Sequence, residues 1–395
     1  MAVSNSEIDP ASAPHSTASS AAPRVMVLGT RGIPNVLGGV ETHCQALYPA
    51  LLQESEWQAT VLARAPYVDY VRSEYRGVQL RALPAPKKKS LEAIVHSVLA
   101  TLYSRFHRCD IVHVHAIGPG LVVPLLRLLG KKVVFTHHGP DYERLKWGGL
   151  AKAMLRLGEK WAVTYANEVI VISEVINDLI KKQYQRHDAH LIFNGVEPAQ
   201  LPDEAKRSEI LDTHGLTAGH YLVAVGRLVE EKGLHDLIAA YRQLQTSLPL
   251  VIVGDADHET PYSRKLKEQA AATPGVIMTG FLSGDALRTV FSQARLFVMP
   301  SYHEGLPIAL LEAMSYGLPV RVSDIPANLA VKLPDECYIP VGDSSAIAHA
   351  LQAQLDQQAP TPPDYSHYLA LYDWQQIARQ TAEVYRQTYR QVQGE

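Results

Sequence analysis

The chain has 395 residues, a formal net charge of −3 and 47% hydrophobic residues. That length allows two α/β domains, each with its own core. The slightly acidic balance excludes a strongly basic nucleic-acid binder, so no nucleic-acid partner is expected.

Residues 1–23 are rich in Ser, Ala and Pro and read as a disordered tail. They lack the basic start and apolar run of a signal peptide. The first half then predicts strands at Val25–Leu28, Ala59–Leu62, Val78–Leu83, Ile111–His115, Val133–Thr136, Val169–Ile172 and Leu191–Phe193. Helix-period segments such as Leu91–Phe106 and Leu150–Tyr165 separate most of them. Leu121–Leu129 is apolar but holds Pro124 and Arg127 and is too short to span a bilayer. Pro198 and Pro202 interrupt the pattern, which places one domain at residues 24–198 and the next at 199–372. The second half predicts strands at Tyr221–Val225, Leu250–Val253, Val276–Met278, Leu296–Met299 and Val320–Val322, with helices at Leu234–Leu244 and Asp285–Gln293. Fully apolar strands alternating with helices predict parallel sheets covered on both faces, hence two Rossmann-like, doubly wound α/β domains. After a Pro-rich stretch, Ala359–Pro363, residues 373–395 form a last helical segment expected to cross back to the first domain. Cys44, Cys109 and Cys337 lie far apart without metal-ligand spacing and read as free thiols in a reducing, cytoplasmic compartment.

Four motifs carry chemistry. Gly38-Gly39 precedes a helix, where open N–H groups and the helix dipole favour a phosphate, although a tight turn uses the same residues. His137-His138-Gly139 follows a strand at the carboxyl edge of the first sheet, where ligands bind. Either histidine can face the cleft, because a one-residue shift turns a strand side chain over. Arg227 and Lys232 bracket the carboxyl end of the second domain's first strand and suit a diphosphate, Arg as a fork and Lys as a point charge. The competing role is a surface pair neutralised by Glu230 and Glu231. Glu304 lies on a loop entering a helix expected to start near Pro307, and Glu312 lies about two turns along it. The amides around Gly305 and Leu306 are left open for donor oxygens.

These stretches, in this order, resemble the family-four glycosyltransferases of the B-type two-domain fold, in which the two domains face a cleft. The resemblance implies a retaining transfer from a nucleotide sugar with no cofactor and no bound metal. It implies that Arg227 and Lys232 hold the diphosphate and that Glu312 holds the ribose. It implies that Glu304, Gly305 and Leu306 hold the transferred sugar, with His138 beside it and Gly38-Gly39 closing over the phosphates. Gly305-Leu306-Pro307 departs from the Gly-Phe-Gly of many members, which bears on the donor sugar. Thr30–Pro34 and His138–Trp147 resemble members that build bacterial exopolysaccharides and O-antigens. The segment from Lys87 to Lys160 is basic, with Trp147, Leu150, Met154, Leu155 and Trp161 interleaved. It reads either as a solvated face or as a contact with an anionic membrane, which suits a lipid-linked or other glycan acceptor. A nucleotide-sugar epimerase and a non-catalytic sugar-binding relative are the alternatives.

Overall fold

A computed structural model describes residues 22–36, 38–86, 92–143, 148–197, 200–256, 258–357 and 363–390. The Ser/Ala/Pro-rich tail through Ala21, Lys87–Lys89, Arg144–Trp147, Pro198, Ala359–Pro362 and the last five residues lie outside them. So does the Leu91 start predicted for the second helix.

The first sheet holds β1 (Arg24–Leu28), β2 (Gln58–Arg64), β3 (Arg72–Tyr75), β4 (Val78–Leu83), β5 (Ile111–His115), β6 (Lys132–His137), β7 (Glu168–Val171) and β8 (His190–Leu191). Their order is β3-β4-β2-β1-β5-β6-β7-β8. The second sheet holds β9 (Leu222–Val225), β10 (Leu250–Val253), β11 (Val276–Gly280), β12 (Leu296–Met299), β13 (Val320–Ser323) and β14 (Tyr338–Ile339), in the order β11-β10-β9-β12-β13-β14. Every residue of β5, β10 and β12 is buried, as a strand covered on both faces requires.

One pair departs from the parallel expectation. β3 and β4 run antiparallel. Arg76 and Gly77, both at positive φ (48° and 85°), join them in a two-residue hairpin turn. The cysteines are free, as read from their spacing. No helix among the described residues is long and apolar enough to cross a membrane.

In each sheet the chain reverses direction of growth beside its first strand. β1 lies between β2 and β5, and β9 lies between β10 and β12. Such switch points open a crevice at the carboxyl ends of the strands, which is where the motif loops emerge. The helix Trp374–Arg390 packs on the first domain. Its Trp374, Ile377, Ala378 and Tyr385 share one core with Leu47, Tyr48, Leu51 and Trp57. The crossing is fixed where Val196 bridges Asp373 and donates its N–H to the Tyr372 carbonyl at 2.9 Å.

Candidate active site

The loop after β12 is locked in place before it reaches Glu304. Ser323 Oγ donates to the Ser301 carbonyl at 2.5 Å, and Asn328 Nδ2 donates to the Ser323 carbonyl at 2.8 Å. The Tyr302 N–H donates to the Glu231 carbonyl at 2.9 Å, and its hydroxyl donates to Asp236. Gly233 lets the segment after β9 close onto this loop. It has φ 61°, and a Cβ there would lie 2.1 Å from the Pro300 carbonyl oxygen. No other residue fits that left-handed, crowded position without strain.

The consequence is an ion pair. Lys232 Nζ donates to Glu304 Oε1 at 2.6 Å, and Ser301 Oγ donates to the same oxygen at 2.7 Å. The surface pairing of Lys232 with Glu230 or Glu231 considered from sequence is replaced by this inward one. Arg227, exposed, emerges directly after Gly226 at the end of β9. The helix expected near Pro307 runs from Ile308 to Ser315, with Pro307 at its N-cap rather than inside its first turn. No hydrogen bond uses the backbone N–H of Gly305 or Leu306 among the described residues. Glu312 is mostly buried on that helix, and desolvation pushes its carboxyl up to about 7.

Across the crevice, Gly38 caps the Gly39–Glu54 helix. The Glu41 carboxylate folds back onto the loop, accepting from the Arg31 N–H at 2.8 Å and filling the space a side chain at Gly38 would need. At Gly39 an added Cβ would meet nothing within 4 Å, so this face is open.

The two histidines part company. His137 is fully buried, and its Nδ1 accepts from the Gly139 N–H at 3.0 Å. Nε2 therefore carries the proton and donates to Glu159 Oε1 at 2.7 Å. Tyr142 and Tyr184 hydroxyls donate to the other Glu159 oxygen, at 3.2 and 2.6 Å. His137 is thus a core residue that satisfies a buried carboxylate. His138 is partly exposed, and its carbonyl oxygen lies 3.3 Å from where a Cβ on Gly305 would stand. The two domains touch there, and Leu306 packs on the cores of both.

Sequence reasoning missed what lies behind His138. His115 Nδ1 is 2.9 Å from His138 Nε2, and His115 Nε2 is 2.6 Å from the Tyr48 hydroxyl. His43 Nδ1 is 2.5 Å from Asn194 Oδ1. Burial, with neighbouring rings adding to it, holds His115 and His138 well below the ordinary histidine range. Burial takes His43 to about 4. The only local hint was His113-Val114-His115, two histidines on one face of a strand.

Two facing Rossmann-like sheets, with a cation–carboxylate pair and open amides at one switch point and a glycine-capped helix at the other, define the two-domain B-type fold of glycosyltransferases. A family profile described as Glycosyltransferase Family 4 matches residues 37–200, and one described as Glycosyl transferases group 1 matches residues 219–357. The chain belongs to the family-four glycosyltransferases. It is 30% identical over 272 residues to a Bacillus subtilis (strain 168) protein named as a teichuronic acid biosynthesis glycosyltransferase, covering 65% of this chain and 66% of that one. It is 28% identical over 309 residues to a Xanthomonas campestris GDP-mannose:cellobiosyl-diphosphopolyprenol alpha-mannosyltransferase, covering 74% of this chain and 77% of that one. Among solved structures it resembles Anabaena HepE in complex with UDP and glucose, with TM-score 0.75, 17% identity and coverage of 92% and 100%.

Proposed function

We propose that this chain transfers a hexosyl residue, with retention and without a metal, from a nucleotide sugar to a glycan or lipid-linked acceptor in bacterial polysaccharide synthesis. The observation that carries the reading is the meeting of Lys232, Glu304 and the open Gly305 and Leu306 amides at the second sheet's switch point. Breaking the bond from anomeric carbon to phosphate puts positive charge on the sugar and negative charge on the diphosphate. Arg227 grips the diphosphate as a fork, and Lys232 shares its charge between it and Glu304. Gly38 and Gly39 close over the phosphates from the first domain. Glu312 takes the ribose hydroxyls. Glu304 and the two amides orient the sugar, with His138 beside it. The acceptor oxygen bonds to the anomeric carbon on the face the phosphate leaves, and its proton passes to the departing phosphate. No carboxylate is assigned as a covalent nucleophile, unlike a retaining glycosidase. Cations that need no reorganisation take the part a metal plays elsewhere.

The narrower setting, exopolysaccharide synthesis at the inner face of the cell membrane, rests on a surface. Val95, Val98, Leu102 and Phe106 form one exposed stripe on the Glu92–Phe106 helix, which packs on the Pro119–Val122 turn, and the Val123–Leu128 and Gly149–Tyr165 helices that pack on the same turn expose Leu128 and Leu150. Arg105, Arg108, Arg127, Arg156 and Lys160 are exposed on or beside these helices. Of the apolar residues first considered for this contact, Leu155 packs against the core and Trp161 is half-buried. Trp147 lies outside the described residues. The helix Glu92–Phe106 takes over much of the role.

A panel of UDP-, GDP- and ADP-sugars, offered with polyprenyl-diphosphate-linked acceptors, tests the reading. Nucleotide release coupled to a glycosylated lipid is the expected result. Sugar conversion within an intact nucleotide sugar would replace this reading with an epimerase.

A further inference from the structure

The far side of the His138 ring belongs to a constellation that sugar transfer does not use. His43 lies on the Gly39–Glu54 helix, His115 ends β5, and His138 follows β6. One ring nitrogen from each lies within 4.8 Å of the other two.

The hydrogen bonds show which nitrogens are available. At His43 an Nδ1–H donating to Asn194 Oδ1 leaves Nε2 as a bare lone pair. That Nε2 is buried and has no hydrogen-bond partner. The opposite assignment would bury an unmatched N–H, a rarer defect than an unpaired acceptor. At His115 an Nε2–H donating to the Tyr48 oxygen leaves the Nδ1 lone pair aimed at His138 Nε2. His138 frees its own Nε2 lone pair when its proton sits on Nδ1. An imidazole whose second nitrogen is tied to an oxygen is the usual build of a metal-ligating histidine. Tetrahedral zinc, at about 2.0–2.1 Å from each nitrogen, needs ligand nitrogens about 3.3 Å apart. The 2.9 Å contact and the 4.8 Å limit bracket that spacing.

We infer that His43, His115 and His138 form a three-histidine site for Zn2+ or a similar imidazole-binding transition ion, with water expected in the fourth position. The ion is no part of the transfer reaction. By drawing His138 away from the donor sugar it inhibits transfer. The inhibitory half rests on the place given to His138 above, whereas the binding half does not.

Full-length protein stripped with chelator and titrated with Co2+, followed by visible absorption, tests binding without any substrate. We expect one Co2+ per chain with the spectrum of a four-coordinate site. His43→Gln should weaken binding by about 10²-fold or more, and Asn194→Ala by about 10- to 100-fold. Thermal unfolding shows that both variants are folded. Absence of bound Co2+, or a His43→Gln titration matching the wild type, overturns the site. In parallel, Zn2+ should slow transfer by the wild type and leave His43→Gln much less affected. Equal Zn2+ sensitivity in both proteins overturns the inhibitory half.

Discussion

On the proposed ribose contact, Glu312 should couple nucleotide binding to pH. Its carboxylate has no hydrogen-bond partner among the described residues, and burial pushes it up to about 7. In that pose the ribose hydroxyls donate to the ionised form, so binding should be strongest where Glu312 is charged. With a titration near 7, about 90% of it is ionised at pH 8 and about 1% at pH 5. The Kd of a nucleoside diphosphate should therefore rise by up to about 10²-fold between those values. Calorimetry with whichever of UDP, GDP and ADP binds most tightly measures this. The ratio of wild type to Glu312→Gln cancels titration of the phosphates, which both share. The same shift has a stability sign. The folded pKa lies above 4.5, so the folded state keeps a proton that the unfolded state loses. Stability thus falls as pH rises from about 4.5 to 7, by at most about 3 kcal/mol, and stays lower above that. Glu312→Gln should raise Tm at pH 8 and change it little near pH 4.5. A wild-type to Gln affinity ratio that is flat from pH 5 to 8, with no Tm gain at pH 8, would refute this reasoning.

Other substitutions separate roles. Arg227→Ala and Lys232→Ala should each lower turnover by about 10²-fold or more, because in the proposed pose they act on charge that grows in the transition state. Glu304→Ala should lower turnover while leaving affinity for the bare nucleoside diphosphate nearly intact, a split visible by comparing kcat with that Kd. His137→Ala removes one of the three donors to the buried Glu159 carboxylate, Tyr142 and Tyr184 being the others, and should cost about 1.5–3 kcal/mol in denaturant unfolding, whereas His138→Ala should spare stability and lose activity. Anionic vesicles should bind the protein at low salt and release it at high salt, and Phe106→Ser with Leu102→Ser should weaken that binding; equal binding to neutral vesicles would count against it.

The parallel sheets were legible because burial on both faces leaves a plain mark. The four residues of β10, Leu-Val-Ile-Val, read as a strand and are all buried. β3 shows the opposite case. Arg-Ser-Glu-Tyr at an exposed edge carries no apolar alternation, and only the Arg76-Gly77 turn betrays the hairpin. At the site, the residue types were readable and their partners were not. The Lys232–Glu304 pair joins residues 72 apart in sequence. His137 could be sorted from His138 only by Glu159, which comes from a helix 22 residues later. The His43–His115–His138 cluster draws on three segments and has no spacing rule to announce it.

Transfer with retention and without a metal leaves two marks that a single reaction reads. The direct measurement is the anomeric configuration of the product by NMR, from a reaction run with the accepted nucleotide sugar in excess chelator. Full turnover and a product linkage with the donor's own configuration are expected. An inverted linkage, or activity that vanishes with chelator and returns with added metal, would contradict that expectation.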